Sequence, residues 1–223
     1  MEYLVDMTTR VPPGTSQESI DEIRAREAIR SAELAESGHL LRLWRPPLQP
    51  DEWRTLGLFW ASDDGDLERV LASMPLRVWR TDGVTPLADH PNDPKRPGLR
   101  APETSDNKGK PEFLTTFAIS ALNEVSEQTV DAILAGDADR GRELAEQGYL
   151  LRLWSLPAEG RTRTLPAEGR RRTLPGEGRV LGLWRAADAA ELRQILESLP
   201  LYGSMTVETT PLAPHPNDPA SVA

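Results

Sequence analysis

The chain contains most of itself twice. GHLLRLWR at 38–45 returns as GYLLRLWS at 148–155, and EYL at 2–4 returns as EFL at 112–114, a constant offset of 110. Further along the offset becomes 125: LGLFWASDDGDLERVLASMPL at 56–76 matches LGLWRAADAAELRQILESLPL at 181–201, and LADHPNDP at 87–94 matches LAPHPNDP at 212–219. Two copies at so long a period mark the tandem duplication of one domain of about 95 residues, not a solenoid. Whatever fold the chain adopts, it adopts twice.

The jump in offset puts 15 extra residues in the second copy, within LPAEGRTRTLPAEGRRRTLPGEGRV at 156–180. This insert is a nine-residue unit repeated nearly three times. Its apolar residues are too sparse to pack, and Glu159, Glu168 and Glu177 interrupt its basic charge, so it reads as a solvated hairpin tip rather than a basic arm. Between the copies, KRPGLRAPETSDNKGKP at 95–111 reads as an exposed linker. The expected domains are therefore 1–94 and 112–223, joined by 95–111, with the low-complexity insert 156–180 inside the second.

Within a copy, residues 2–9 alternate as a strand should, with Tyr3, Val5 and Met7 on one side. Residues 16–37 read as a helix opened by Ser16 as N-cap and closed by Gly38. Residues 39–46 and 54–61 read as strands around a polar turn. A second helix spans 64–74, capped by Asp63, with Leu67, Val70, Leu71 and Met74 on one stripe; a last strand follows at 78–87. The order βαββαβ is the ferredoxin-like split βαβ unit. Alternation puts Leu41 and Leu43 on one face of the second strand and Leu40 and Trp44 on the other, and LGLFW at 56–60 is apolar on both faces. Strands buried on both faces need helices on one side and a second sheet on the other. The expected architecture is thus α+β: tandem ferredoxin-like βαββαβ domains packed sheet to sheet as a dimeric α+β barrel.

Composition removes several classes of function. The net charge of -9, from 26 Lys and Arg against 35 Asp and Glu, is the reverse of a general nucleic-acid binder's. With no cysteine there are no disulfides, thiol nucleophiles or cysteine-ligated metals, and the three histidines show no metal-binding spacing. No stretch approaches the ~18 apolar residues of a membrane span, and MEYLVDMTTRVPP has no basic n-region or long apolar core. The expectation is a cytoplasmic protein with no metal centre, no nucleic-acid partner and no membrane span.

One residue on the first helix breaks the pattern. Ile20, Ile23 and Leu34 fall on one stripe, and Glu27 falls on it too. A carboxylate on a buried face costs free energy unless it is paired or useful, and desolvation makes it a better proton shuttle near neutrality. The second copy has Asp137 there, one methylene shorter. The structural alternative is an i,i+3 salt bridge, Glu27 to Arg30 and Asp137 to Arg140.

MEYLVDMTTRVPP, the helix carrying Glu27, GHLLRLWR, the SMPL turn and the closing LADHPNDP resemble, in their order and spacing, the muconolactone delta-isomerase family. The resemblance covers nearly all of 1–94 and, more loosely, 112–155 and 181–219, so the second copy is diverged. It implies a ferredoxin-like fold assembled through sheet-to-sheet dimers into larger rings, so that this chain would form an internal pseudo-dimer able to assemble further as a homo-oligomer, with a small acidic or lactone molecule as its substrate. The activity it implies is cofactor-free: a double bond moves within a small unsaturated lactone, in aromatic compound catabolism. By this resemblance Glu27 is the proton-transferring carboxylate, while Trp53 and Thr55 stand where characterised isomerases carry a tyrosine and an asparagine. Thr55 can donate a hydrogen bond and Trp53 can wall the pocket; the second copy has Gly178 and Val180 there.

Arg45, at the end of the second strand, is a candidate clamp for a substrate carboxylate; its counterpart is Ser155. Arg42 and Arg152, each beside a tryptophan, read as stacked or ion-paired, and His90 and His215, in HPNDP turns, as tail-docking residues. Three readings remain open at this level: the lactone isomerase, a small-ligand-binding scaffold without turnover, and a diverged biosynthetic cyclase or monooxygenase on the same fold.

Overall fold

The computed structural model describes residues 1–48, 52–95, 107, 109–119, 126–157 and 178–221. Most of the linker and the core of the low-complexity insert lie outside the described residues. The first copy contributes β1 (Glu2–Thr9), α1 (Gln17–Glu36), β2 (Leu40–Arg45), β3 (Trp53–Trp60), α2 (Asp64–Ala72) and β4 (Arg80–Asp89). The second contributes β5 (Glu112–Ile119), α3 (Glu127–Glu146), β6 (Leu150–Leu156), β7 (Arg179–Arg185), α4 (Ala189–Glu197) and β8 (Met205–Pro214). The α+β class and the βαββαβ order hold in both copies. Among the described residues no helix is long and apolar enough to cross a membrane.

Compact units do not follow the sequence repeat. One unit is Met1–Leu87 with Leu212–Ala223; the other is Ala88–Pro211. Each copy's closing HPNDP segment therefore belongs to the unit built from the other copy. In unit 1 the end of β8 pairs with β2 through Trp44↔Pro214 and Arg45↔Ala213. In unit 2 the end of β4 pairs with β6 through Ala88↔Ser155 and Asp89↔Trp154.

The docking chemistry is the same in both. Asp218 is 1% exposed and accepts from the Leu43 amide at 3.0 Å, from Arg42 Nε at 3.1 Å and from Arg42 Nη2 at 3.1 Å. Asp93 does the same for the Leu153 amide (3.1 Å) and Arg152 Nε (3.1 Å). Arg42 also lies 4.8 Å from the Trp44 ring centroid and Arg152 4.5 Å from that of Trp154. Each arginine is thus both stacked and ion-paired, and the HPNDP segments dock as turns.

Within unit 1, β1 pairs antiparallel with both β3 and β4. Tyr3, Val5 and Met7 are buried against Leu34, Phe59, Leu67 and Leu71, the apolar faces of both helices closing on one face of the sheet. Ser16 caps α1 by accepting the Ser19 amide, Asp63 caps α2 through Asp66, and Gly38 (φ 76°) takes the left-handed turn that releases α1 into β2. A Cβ at Gly57 would collide with the Phe59 ring, so only glycine lets that ring fold back across β3.

Two local expectations are corrected. The alternation in β2 is broken by a bulge: Leu40 opposes Phe59 while Arg42 opposes Leu58. Leu40 and Leu43 consequently share the helix-side core, and Trp44 is buried outside that cluster with Leu56 and Leu58. The last strand also starts later than expected, because Pro75–Trp79 forms a 3-10 turn first. In unit 2 the core is matched by substitution in pairs. Trp184 replaces Phe59 and Thr115 replaces Val5, and the indole N–H donates to the buried Thr115 hydroxyl at 2.8 Å, which satisfies the polar atom the larger ring brings in.

Candidate functional site

Register brings the chemistry of unit 1 to one end of its sheet. Met7 lies opposite Thr55 on β3 and Asp82 on β4, and Thr9 lies opposite Trp53 and Arg80. Over this end runs the middle of α1. The space between holds a cavity of about 160 Å³, lined by Glu27, Arg24, Arg45, Trp53, Thr55 and Arg80 among others. Glu27 on α1, Arg45 at the end of β2, and Trp53 and Thr55 at the start of β3 all border this one cavity. Asp137 lines a different cavity, in unit 2.

Glu27 is 7% exposed, and it shares the buried stripe of α1 with Ser31 and Leu34. One carboxylate oxygen accepts from the Leu76 amide at 2.8 Å; the other faces Arg80 Nη1 at 3.3 Å. Burial raises its pKa above the ordinary glutamate value; the Leu76 hydrogen bond and the Arg80 charge pull the other way without cancelling that effect, and Asp82 adds to the rise. Arg80 cannot neutralise it fully because Arg80 is engaged elsewhere. Its Nε and Nη2 bind Asp82 at 2.7 and 3.1 Å.

The expected i,i+3 salt bridge does not form. Arg30 points to Glu33 (2.8 Å) and to the Ser73 hydroxyl (3.0 Å), and Arg140 repeats this with Glu143 and Ser198. The helix turns both arginines toward the loop after the second helix of their unit, while Glu27 and Asp137 face inward. What the two acids share is a backbone clasp: Asp137 accepts from the Leu201 amide at 3.2 Å, as Glu27 does from Leu76.

Arg24 and Arg45 are the exposed cations of the lining. Arg24 lies 5.2 Å from the Trp53 ring centroid, a cation–π contact that holds it along the wall. Neither arginine forms a salt bridge among the described residues. The base of the cavity thus offers a desolvated carboxylate, and its rim offers two cations that have no acidic partner among the described residues.

The docked tail completes the wall with His215, Pro216 and Asn217. His215 Nδ1 accepts from the Asn217 amide at 3.1 Å, so the neutral ring carries its proton on Nε2. Burial, helped by the charge of Arg45, lowers its pKa to about 4, with Asp218 opposing, so the ring is neutral at physiological pH.

Reading the sequence by motif missed Arg24, Arg80, Asp82 and the role of the exchanged tail. A signal for the first three was present in the repeat. Arg24 becomes Leu134, Arg80 becomes Met205 and Asp82 becomes Val207. Three charges of the first copy that are apolar in the second set these positions apart from the rest of the repeat. The exchange of tails carries no such signal, because both tails read HPNDP.

The model of the muconolactone delta-isomerase family matches residues 1–93 and again 112–218. The chain belongs to that family. It carries two tandem copies of the family domain, the second diverged. Muconolactone Delta-isomerase 1 of Acinetobacter lwoffii is 32% identical over 92 residues, which cover 41% of this chain and 93% of that protein. The Muconolactone Delta-isomerase of Cupriavidus pinatubonensis is 30% identical over 92 residues, covering 41% of this chain and 97% of that protein. Among solved structures, a chlorite dismutase from Candidatus Nitrospira defluvii matches 96% of this chain with a TM-score of 0.55 at 10% identity. A heme-binding protein from Thermus thermophilus matches 95% with a TM-score of 0.51 at 12% identity. At such identities these two likenesses show the fold alone.

Proposed function

We propose that unit 1 is a cofactor-independent isomerase that moves a ring double bond in a small unsaturated lactone bearing a carboxylate, a muconolactone-like substrate of aromatic compound catabolism. The observation that carries this reading is the desolvated Glu27 carboxylate at the base of a cavity whose rim holds Arg24 and Arg45. Membership of the isomerase family supports it.

The chemistry asks for a base, an oxyanion donor and an anion clamp. Glu27, ionised, takes a proton from the ring carbon γ to the lactone carbonyl. The C–H electron pair enters the ring, the double bond shifts, and negative charge collects on the carbonyl oxygen. Glu27 then returns the proton to the α carbon, so no atom is gained or lost. A carboxylate whose pKa lies above the usual range is better matched to a weakly acidic carbon and returns the proton more readily. The Thr55 hydroxyl and the Nε2–H of neutral His215 are the candidate donors to the developing oxyanion. Arg45 and Arg24 suit the substrate's side-chain carboxylate, fixing the ring over Glu27. Arg80 and the Leu76 amide hold the base in place.

The test is to incubate the full chain with muconolactone in deuterated water and follow the ring protons by NMR, with Glu27→Gln and Asp137→Asn alongside. Conversion should occur with deuterium entering the ring, should fall by about 10²–10⁴-fold in Glu27→Gln, and should survive in Asp137→Asn. Conversion retained in Glu27→Gln, or lost equally in Asp137→Asn, refutes the assignment of the base. No conversion and no exchange removes this substrate.

A further inference from the structure

Unit 2 holds a second cavity built from the same positions as the first but of opposite character. It measures about 490 Å³, against about 160 Å³ in unit 1. Aligned by the repeat, Arg24 is replaced by Leu134, Arg80 by Met205, Thr9 by Ile119 and Thr55 by Val180, and all four replacements line the larger cavity. Arg45 is replaced by Ser155, which does not reach it. Among the described residues the lining contains no lysine and no arginine.

The polar groups that remain are few and fixed. Asp137 is held by the Leu201 amide at 3.2 Å; burial raises its pKa, and that hydrogen bond pulls the other way without cancelling the rise. His90 accepts the Asn92 amide on Nδ1 at 3.2 Å, the same turn that His215 makes in unit 1. An apolar cavity of several hundred cubic ångströms with one or two fixed polar groups is the usual form of a small-molecule site.

We infer that unit 2 is a separate binding site for a neutral, largely apolar cyclic molecule with one polar group directed at Asp137, and that it rejects carboxylates. Three features set the chemistry. With Leu134, Met205 and Ser155 in place of Arg24, Arg80 and Arg45, no described lining residue compensates a ligand anion, and a buried charge without a partner is strongly disfavoured. The Asp137 carboxyl itself repels an anion. The added volume and the exchange of Thr9 and Thr55 for Ile119 and Val180 reward apolar surface. This inference does not rest on the isomerase reading of unit 1, since it uses only the lining of unit 2.

A matched pair of fluorescent probes tests it in the full chain: 1-anilinonaphthalene, which is neutral, and 8-anilinonaphthalene-1-sulfonate, the same skeleton with an anionic group. The neutral probe should bind saturably, one per chain, at least about tenfold more tightly than the sulfonate; that ratio is about 1.4 kcal/mol. Leu134→Arg restores the cation present in unit 1 and should narrow the ratio at least about tenfold, by weakening the neutral probe, strengthening the anion, or both. Ala138→Phe should fill the cavity and abolish binding of the neutral probe. Circular dichroism melts check both variants, and Leu134→Arg, at a half-buried helix position, carries the test if Ala138→Phe fails to fold. The inference is overturned by no saturable binding, by equal affinity for the two probes, by a ratio that Leu134→Arg leaves unchanged, or by neutral binding that persists in folded Ala138→Phe.

Discussion

Asp218→Asn should damage unit 1, although Asp218 lies in the repeat of the second copy. The asparagine preserves size and one acceptor for the Leu43 amide, but it removes the charge that Arg42 pairs with. Breaking a well-buried ion pair by removing one partner costs about 3–5 kcal/mol. Here the carboxylate is 1% exposed and the arginine side chain 20%, and Arg42 keeps its stacking on Trp44. The cost should therefore fall somewhat lower, at about 2–3 kcal/mol. For a unit of about 100 residues that is a fall in melting temperature of about 8–24 °C.

The local reading is sharper than the global one. Asp218 is the acceptor for the Leu43 amide, so hydrogen exchange at Leu43 should accelerate by about 30-fold or more as the tail loosens. His215 and Asn217 leave the cavity wall with the tail, and turnover on a lactone substrate should drop by about tenfold. Asp93→Asn makes the identical chemical change on Arg152 and Leu153 in unit 2. It should melt unit 2 by a similar amount and leave unit 1 turnover within about twofold. If the two variants lower turnover equally, or if Leu43 exchange is unchanged in Asp218→Asn, the assignment of the tails to the opposite units is wrong.

Four further outcomes follow from the same geometry. The rate of the proposed reaction should rise with pH through a midpoint above the ordinary glutamate range, because Glu27 must be ionised to act and burial raises its pKa; a midpoint at the ordinary value, read from kcat/KM, contradicts this. Because its pKa is raised in the folded state, the contribution of Glu27 to stability is full below the ordinary glutamate value, is lost as pH rises from there through that midpoint, and is level above it, so Glu27→Gln should melt higher than the parent at pH 8 and converge with it near pH 4. Arg45→Ala should raise KM by about tenfold with a smaller change in kcat, and should do less to an uncharged ester of the substrate. His215 is held neutral with a pKa near 4 against an ordinary 6.5, so acidification between those values favours the unfolded chain; after allowance for partial exposure, about 2 kcal/mol should be lost across that window and regained in His215→Asn, as chemical denaturation at pH 4.5 and 7 would show.

The repeat, the βαββαβ order and the caps at Ser16 and Asp63 were legible because each depends on local pattern: period, turn residues and side-chain oxygens at helix starts. Glu27 was legible because a carboxylate on an apolar stripe is a contradiction within one helix. Arg24 was hidden in the charged surface of the same helix, and Arg80 lay just after a 3-10 turn that alternation does not foresee. The β2 bulge was hidden for a different reason. One extra residue reverses the facing of everything beyond it, and neither hydrophobicity nor propensity distinguishes LLRLW with a bulge from LLRLW without one. Docking of the tails could not be read at all, because the Asp218–Arg42 and Asp93–Arg152 pairings use the same residue types as their unexchanged alternatives.

That exchange changes what a substitution in this chain can do. The HPNDP segment that walls the unit 1 cavity is encoded at the end of the second copy, and the one that walls the unit 2 cavity at the end of the first. Were the two copies identical, any change to a tail, a base or a rim cation would alter two equivalent sites together. Once fused, the copies vary separately, and the cavity linings show that they have: Glu27, Arg24, Arg80 and Thr55 face Asp137, Leu134, Met205 and Val180 across the alignment. The parts left unchanged are those that hold each unit together: the backbone clasp on Leu76 or Leu201, the arginine stacked on tryptophan, and the buried aspartate of the tail. Those elements answer to folding, which both units require. The rest answer to whatever enters each cavity, and their divergence toward charge in one and apolar surface in the other is what two different occupants would select.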